Sequence, residues 1–263
     1  MKEKTNSELA ADKIISYAAK NGRDIPVCFQ DWLQWLINVF SIERLLANNA
    51  DYEVILSPEN LKHDIFRECL VLWVNCALEY QKDHKCVDFF GEVYEWCFQS
   101  KSKASRMGQY FTPYSIGTLT SRCLGTQKEC EDTIFSSEPS CGSGRNLLAL
   151  WQDADWDKRH IWYAEDLDPV SVKMCALNMM INGMVGYVVC HNTLIPDDFI
   201  FAYAVNEVRD PIPCNYFSIR QISKEEFEKI NPWQPSESVP KAQLSEPHSK
   251  MQPIPNSLFD YEP

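Results

Sequence analysis

The chain has 263 residues, 45% of them hydrophobic and 24% charged, the balance of a soluble globular protein with one ordinary core and room for an extension. That composition excludes a collagen-like, coiled-coil or wholly disordered chain, and the longest apolar stretch, residues 69–80, is too short and too polar to span a membrane. The net charge of −12 argues against strong binding of DNA by this chain alone, because affinity for phosphate comes largely from counterion release by Lys and Arg.

The first hundred residues read as helices. Residues 5–21 carry Leu9, Ile14, Ile15 and Ala18 at helical spacing before an Asn21-Gly22 stop. Residues 26–49 place Phe29, Trp32, Leu33, Leu36, Ile37 and Phe40 on one wide stripe, predicting a single long helix. Ser57-Pro58-Glu59 is a start signal for a helix running to about Gln81. Residues 87–99 form a fourth helix, and the aromatic stripes predict a bundle core.

Beyond residue 121 short β-like runs alternate with helices. Strands are predicted at residues 133–136, 160–164 and 187–190, and helices at 146–152 and 170–182, the latter capped by Asp168. This β-α-β-α-β order predicts a parallel α/β sheet of the doubly wound type. The domain reading is a helical segment 1–104, an α/β segment 105–231 and a disordered or extended tail 232–263 that holds seven of the fifteen prolines and no glycine. Leu258-Phe259 in that tail resembles the short peptides that dock on bacterial sliding clamps. The eleven cysteines include no C-x-x-C pair and the five histidines are scattered, so no metal site is predicted and the thiols are expected to be reduced core residues of a cytoplasmic protein.

Cys141-Gly142-Ser143-Gly144 falls between a predicted strand and a predicted helix, where glycine lets backbone approach a ligand at a helix N-terminus. Asp166 lies 22 residues after Gly144 at the tip of the second strand, a placement that suits hydrogen bonds to two ribose hydroxyls. Residues 96–128 contain no acid after Trp96 but include Lys101, Lys103, Arg106, Arg122 and Lys128, a positive segment able to touch phosphate or the acidic face of a partner.

Four separated motifs together resemble a family. They are Asp88-Phe89-Phe90-Gly91-Glu92-Val93-Tyr94-Glu95, Gly108-Gln109-Tyr110-Phe111-Thr112-Pro113, Glu138-Pro139-Ser140-Cys141-Gly142-Ser143-Gly144, and Asp166-Leu167-Asp168-Pro169. In order and spacing they are similar to the N-6 adenine-specific DNA methyltransferases, above all the modification subunit of type I restriction-modification systems. The resemblance implies a truncated class I, Rossmann-like core using S-adenosylmethionine. It implies that Tyr110, Phe111, Thr112 and Pro113 line the methionine end of that cofactor. The Gly loop, starting with Glu138 where the family has Asp, would hold the same end through Cys141, Gly142, Ser143 and Gly144. Asp166 would hold the ribose and Leu167 pack on the adenine. His191-Asn192-Thr193-Leu194 matches a Gly-Asp-Thr-Leu element, so Asn192 would read the adenine amine without charge.

The family's catalytic Asn/Asp-Pro-Pro-Tyr/Phe run, whose polar groups accept from the target amine while the ring stacks on the flipped base, does not occur in the chain. Asp210-Pro211-Ile212-Pro213, with Tyr216 or Phe217 as the ring, and Asn231-Pro232-Trp233 are the candidates. Two readings follow. One is a DNA adenine methyltransferase that needs a partner subunit for DNA grip and missing elements, or a divergent loop. The other is a non-catalytic binding or regulatory module.

Overall fold

The computed structural model describes residues 3–48, 55–57, 61, 63–83, 85–98, 112–124, 133–154, 159–195, 198–207 and 217–230. Residues 1 to 227 form one compact unit, and a second begins at Glu228. The proline-rich tail, the Leu258-Phe259 motif and the basic residues Lys101, Lys103, Arg106 and Lys128 lie outside the described residues.

Helix α1 (Asn6–Lys20) opens on a capping box in which the Thr5 hydroxyl accepts from the Glu8 amide and the Glu8 carboxylate accepts from the Thr5 amide. Residues 26–49 are two helices rather than one: α2 (Ile25–Val39) and α3 (Ile42–Ala47). The break has a cause distant in sequence. The Phe40 carbonyl accepts the Ile219 N–H at 2.9 Å, and the Ser41 hydroxyl starts α3 by accepting from the Arg44 amide. Helix α4 (Asp64–Lys82) begins later than Ser57 predicts, and α5 (Phe89–Phe98) begins with the Phe-Phe pair. Helix α6 (Tyr114–Leu124) is an addition to the predicted elements.

The α/β region follows as β1 (Thr133–Glu138), α7 (Arg145–Gln152), β2 (Arg159–Asp166), α8 (Pro169–Ile181) and β3 (Gly186–His191). Two strands that sequence reading missed come next, β4 (Phe199–Val205) and β5 (Ile219–Ile222), and then α9 (Lys224–Ile230). The sheet order is β1-β2-β3-β4-β5, so the described strands run sequentially from an edge β1 and do not show the reversal about a central strand that a doubly wound sheet requires. β1, β2 and β3 are parallel, as predicted, whereas β4 adds antiparallel to β3 and β5 antiparallel to β4.

Helix α8 holds these elements together. Its Asp168 cap accepts from the Val170 and Ser171 amides, and its side chains are buried on every face, from Met174 through Ile181. A helix apolar on all sides must be enclosed, and α8 packs against α2 and α5 as well as β2, β3 and β4. One buried cluster therefore runs from Trp32, Trp73, Phe89 and Phe90 through Met174 and Leu177 to Val188 and Tyr203. Polar clasps reinforce it: Asn182 exchanges two hydrogen bonds with the Val87 backbone at 3.0 and 3.1 Å, and Gln81 donates to the Ile181 carbonyl. The described cysteines are free, and burial pushes the thiols of Cys69, Cys76, Cys86 and Cys97 up to about 12, as expected of packing residues. Among the described residues no helix is long and apolar enough to cross a membrane.

Asn206 closes β4. It is buried with a positive φ of 50°, and its amide donates to the Met180 and Met184 carbonyls while its oxygen accepts the Ser218 N–H. Asn206→Ala removes all three bonds and leaves buried groups unpaired, at an expected cost of about 1–3 kcal/mol. Urea denaturation monitored by far-UV circular dichroism measures this; an unchanged midpoint would show that the clasp is energetically idle.

Candidate functional site

The C-terminal ends of β1, β2 and β3 meet at one edge of the sheet, the place where parallel α/β sheets bind ligands. The turn after β1 is built for close approach. Gly142 and Gly144 have φ of 54° and 91°, a left-handed backbone that side chains rarely adopt. A Cβ on Gly144 would also sit 3.0 Å from the Cys175 sulfur of α8, so this residue lets the turn seat against that helix. Arg145 then starts α7.

Asp166 stands at the tip of β2, half-buried, as the spacing predicts. Its Oδ2 accepts the Gly142 N–H and its Oδ1 the Asp168 N–H, both at 2.9 Å. The neighbouring Cys141 N–H is accepted by the Glu165 carbonyl at 2.8 Å. A carboxylate has about four lone-pair positions, so Asp166 can anchor the turn and still accept from a ligand. Leu167 beside it is 58% exposed, an apolar surface facing solvent. Glu138 accepts from Asn146 of α7 at 3.3 Å. Asn192 follows β3, and its Oδ1 accepts the Leu194 N–H at 3.0 Å, an Asx turn. His191 is buried, and its Nε2 lies 2.6 Å from Glu165 Oε1.

Thr112 and Pro113, the described portion of the Tyr-Phe-Thr-Pro motif, lie beside this turn, because the Thr112 carbonyl accepts from Arg145 at 3.1 Å. Tyr110 and Phe111 lie outside the described residues. Behind the turn, Ser143 joins a polar core whose other members, Asp88, Arg145 and Asn178, sequence reading assigned no role. Asp88 Oδ2 accepts from the Ser143 hydroxyl (2.9 Å) and Arg145 Nε (2.6 Å). Its Oδ1 accepts from the Gly91 N–H (3.0 Å) and Asn178 Nδ2 (2.8 Å). Four donors around one carboxyl suit its ionised form. Burial lifts the Asp88 carboxyl above the usual carboxylate range, against the opposing pull of Arg145 and the donors. The signal was present, since Asp88 opens one of the matched motifs and Arg145 directly follows Gly144, but only three-dimensional packing shows that they meet.

The catalytic candidates fall differently. Asp210, Pro211 and Tyr216 lie outside the described residues, as does Asn231-Pro232-Trp233. Glu207 and Phe217 bracket residues 208–216. β4 runs antiparallel to β3, pairing Val205 with Gly186 and Phe199 with His191, and β5 starts with Ile219 opposite Val205. Both ends of the intervening segment therefore emerge at the start of β3. Asp166 pairs with Cys190, four residues along β3 from Gly186, so at ~3.3 Å per residue that point is about 13 Å along β3 from Asp166. Phe217 packs partly buried against the core.

With this geometry in view, the comparisons with known proteins agree on a class. The family model described as N-6 DNA Methylase matches residues 85–243, and the chain belongs to that family. It is 24% identical over 110 residues to a type I restriction enzyme MpnII methylase subunit of Mycoplasma pneumoniae, covering 40% of this chain and 20% of that protein. It is 25% identical over 137 residues to a type I restriction enzyme MjaIX methylase subunit of Methanocaldococcus jannaschii, covering 49% and 24%. The chain thus spans between a fifth and a quarter of the length of these relatives. No solved structure matches.

Glu92 of α5, adjacent to this network, offers a test of its electrostatics. Burial lifts its carboxyl above the usual range; the hydrogen bond from Ser7 (2.6 Å) opposes this and Asp88 adds to it. A raised folded-state pKa means that Glu92 supports stability fully below the unfolded value, and that the support is lost as pH rises through the folded value. Glu92→Gln keeps an acceptor for Ser7 without the charge. The variant should melt above wild type at pH 7–8, by about 2–4 °C per kcal/mol relieved, with the gap closing below about pH 4. A variant that melts lower at pH 8 would refute this assignment.

Proposed function

We propose that this chain binds S-adenosylmethionine at the ends of β1 and β2 and serves as the cofactor-holding component of a DNA adenine-N6 methylating unit. The observation that carries the proposal is the joining of Asp166 to the Gly142 amide beneath a turn with two left-handed glycines. That arrangement offers a carboxylate to ribose hydroxyls and unencumbered backbone to the amino-acid end. The residues present fit the cofactor: Asp166 keeps acceptor capacity, Leu167 offers an exposed apolar side chain to the adenine, and Thr112 and Pro113 border the turn from the opposite chain segment. When bound, the cofactor supplies an electrophilic methyl group, and the product is its demethylated thioether. The Rossmann-like, truncated class I reading belongs to the same proposal, supported by the parallel β1-β2-β3 core.

A specific observation favours dependence on another protein for catalysis. The chain contains no Asn/Asp-Pro-Pro-aromatic run, and both ends of the segment carrying Asp210 emerge at the end of β3 away from Asp166. The oriented acceptor pair and stacking ring would then come from a partner subunit, as would most of the grip on DNA, given the charge of −12. The division into a helical segment (residues 1–104), a cofactor-holding segment (residues 105–231) and a tail (residues 232–263) goes with this reading. Among the described residues no His/Cys/Asp/Glu group is arranged to hold a metal ion, and the chemistry proposed needs none.

Titration calorimetry with S-adenosylhomocysteine tests the site. Wild type should bind, and Asp166→Ala should lose about 1–3 kcal/mol of affinity through hydrogen bonds to a charged group. Equal binding by the variant, or no binding by wild type at millimolar ligand, would overturn it. Transfer of labelled methyl groups to unmethylated DNA should be absent for the chain alone; robust transfer by the purified chain would refute partner dependence.

A further inference from the structure

We propose that Asp88, although it belongs to the helical segment of the chain, is the positioning residue for the ligand turn and sets affinity for the amino-acid end of the ligand. This inference rests on the reading of that turn as an S-adenosylmethionine site and adds a residue outside the turn.

Ser143 is fully buried between two glycines of positive φ. A residue so placed takes its conformation from neither a helix nor a strand ladder, and must be held by other groups. Here side chains hold it. Its hydroxyl donates to Asp88 Oδ2, and its carbonyl accepts Asn178 Nδ2 at 2.9 Å. The same Asn178 amide donates to Asp88 Oδ1 at 2.8 Å, so Asp88 orients the group that grips the Ser143 backbone. Asn178 is fully buried in α8, which ties the arrangement to the central helix.

Asp88 also acts one residue beyond Gly144. Arg145 Nε lies 2.6 Å from Asp88 Oδ2, and Arg145 Nη1 donates to the Thr112 carbonyl and to Glu95 Oε1, both at 3.1 Å. One carboxylate thereby orients the guanidinium that joins Thr112 to the turn. Its seat is equally specific: a Cβ on Gly91 would collide with the Asp88 carboxylate, so the first turn of α5 admits the group only because glycine stands there. Asp166 anchors Gly142 from the nucleoside side, whereas Asp88 anchors Ser143 and Arg145 from behind. Loss of Asp88 should therefore disturb the amino-acid end of the ligand more than the nucleoside.

The test uses the full chain and two probes: S-adenosylhomocysteine, which has the amino-acid end, and 5′-methylthioadenosine, which lacks it. Asp88→Asn should weaken S-adenosylhomocysteine by on the order of tenfold or more, as for a hydrogen bond to a charged group, and leave 5′-methylthioadenosine within about threefold. Ser143→Ala removes one bond only and remains informative if Asp88→Asn does not fold; it should show the same selectivity at about two- to tenfold. Asn206→Ala, outside this network, serves as a destabilised control that should bind both probes like wild type. If Asp88→Asn, or Ser143→Ala in its place, weakens both probes equally, or matches the control, Asp88 is structural only and the proposal is overturned. If wild type binds neither probe, the underlying site reading fails first and this inference falls with it.

Discussion

The buried pair of Asp88 and Arg145 is the constraint on which the site depends. Both side chains are taken out of water, with side-chain exposures of 4% and 10%. Isolated charges in such a place are strongly unfavourable, and removing one partner of a buried pair typically costs about 3–5 kcal/mol. Replacing both with packed apolar groups is often neutral, so the pair is poorly explained as a source of stability. Geometry explains it better. Asp88 accepts four hydrogen bonds that arrive from α5, α7, α8 and the turn after β1. An apolar substitute would fill the space and direct none of them.

The helical segment is thereby a component of the site. Asn182 and Gln81 join α8 to α4 and to Val87, Gln152 accepts the Cys86 amide, and Asp88 completes the connection at the turn after β1. The sheet divides the remaining tasks. Its parallel strands bring the Gly turn, Asp166 and Asn192 to one edge. The antiparallel β4 and β5 extend the sheet from β3 and dock on the helices through Phe40 and Ser41. That docking end holds Asn206, at the end of β3 away from Asp166.

Much of this was legible because it is local. Capping by Asp168, the parallel strand-helix alternation and the position of Asp166 all follow from signals within a few residues. What was missed depends on distant partners. The break at Phe40 is set by Ile219, and no pattern within residues 26–49 encodes it. β4 reads Phe-Ile-Phe-Ala-Tyr-Ala-Val, a continuous apolar run that does not reveal its antiparallel direction. Asp88 and Asn178 are 90 positions apart, so each polar residue looks like an ordinary helix residue until the fold brings them together.

Hydrogen–deuterium exchange, compared with and without saturating S-adenosylhomocysteine, tests the central claim most directly. The account predicts slower exchange at residues 140–146 and 165–168, where the turn and Asp166 lie, with residues 199–205 and 219–222 unchanged. Protection centred on β4 and β5, or exchange unaltered throughout at a ligand concentration that calorimetry shows to be saturating, would contradict it.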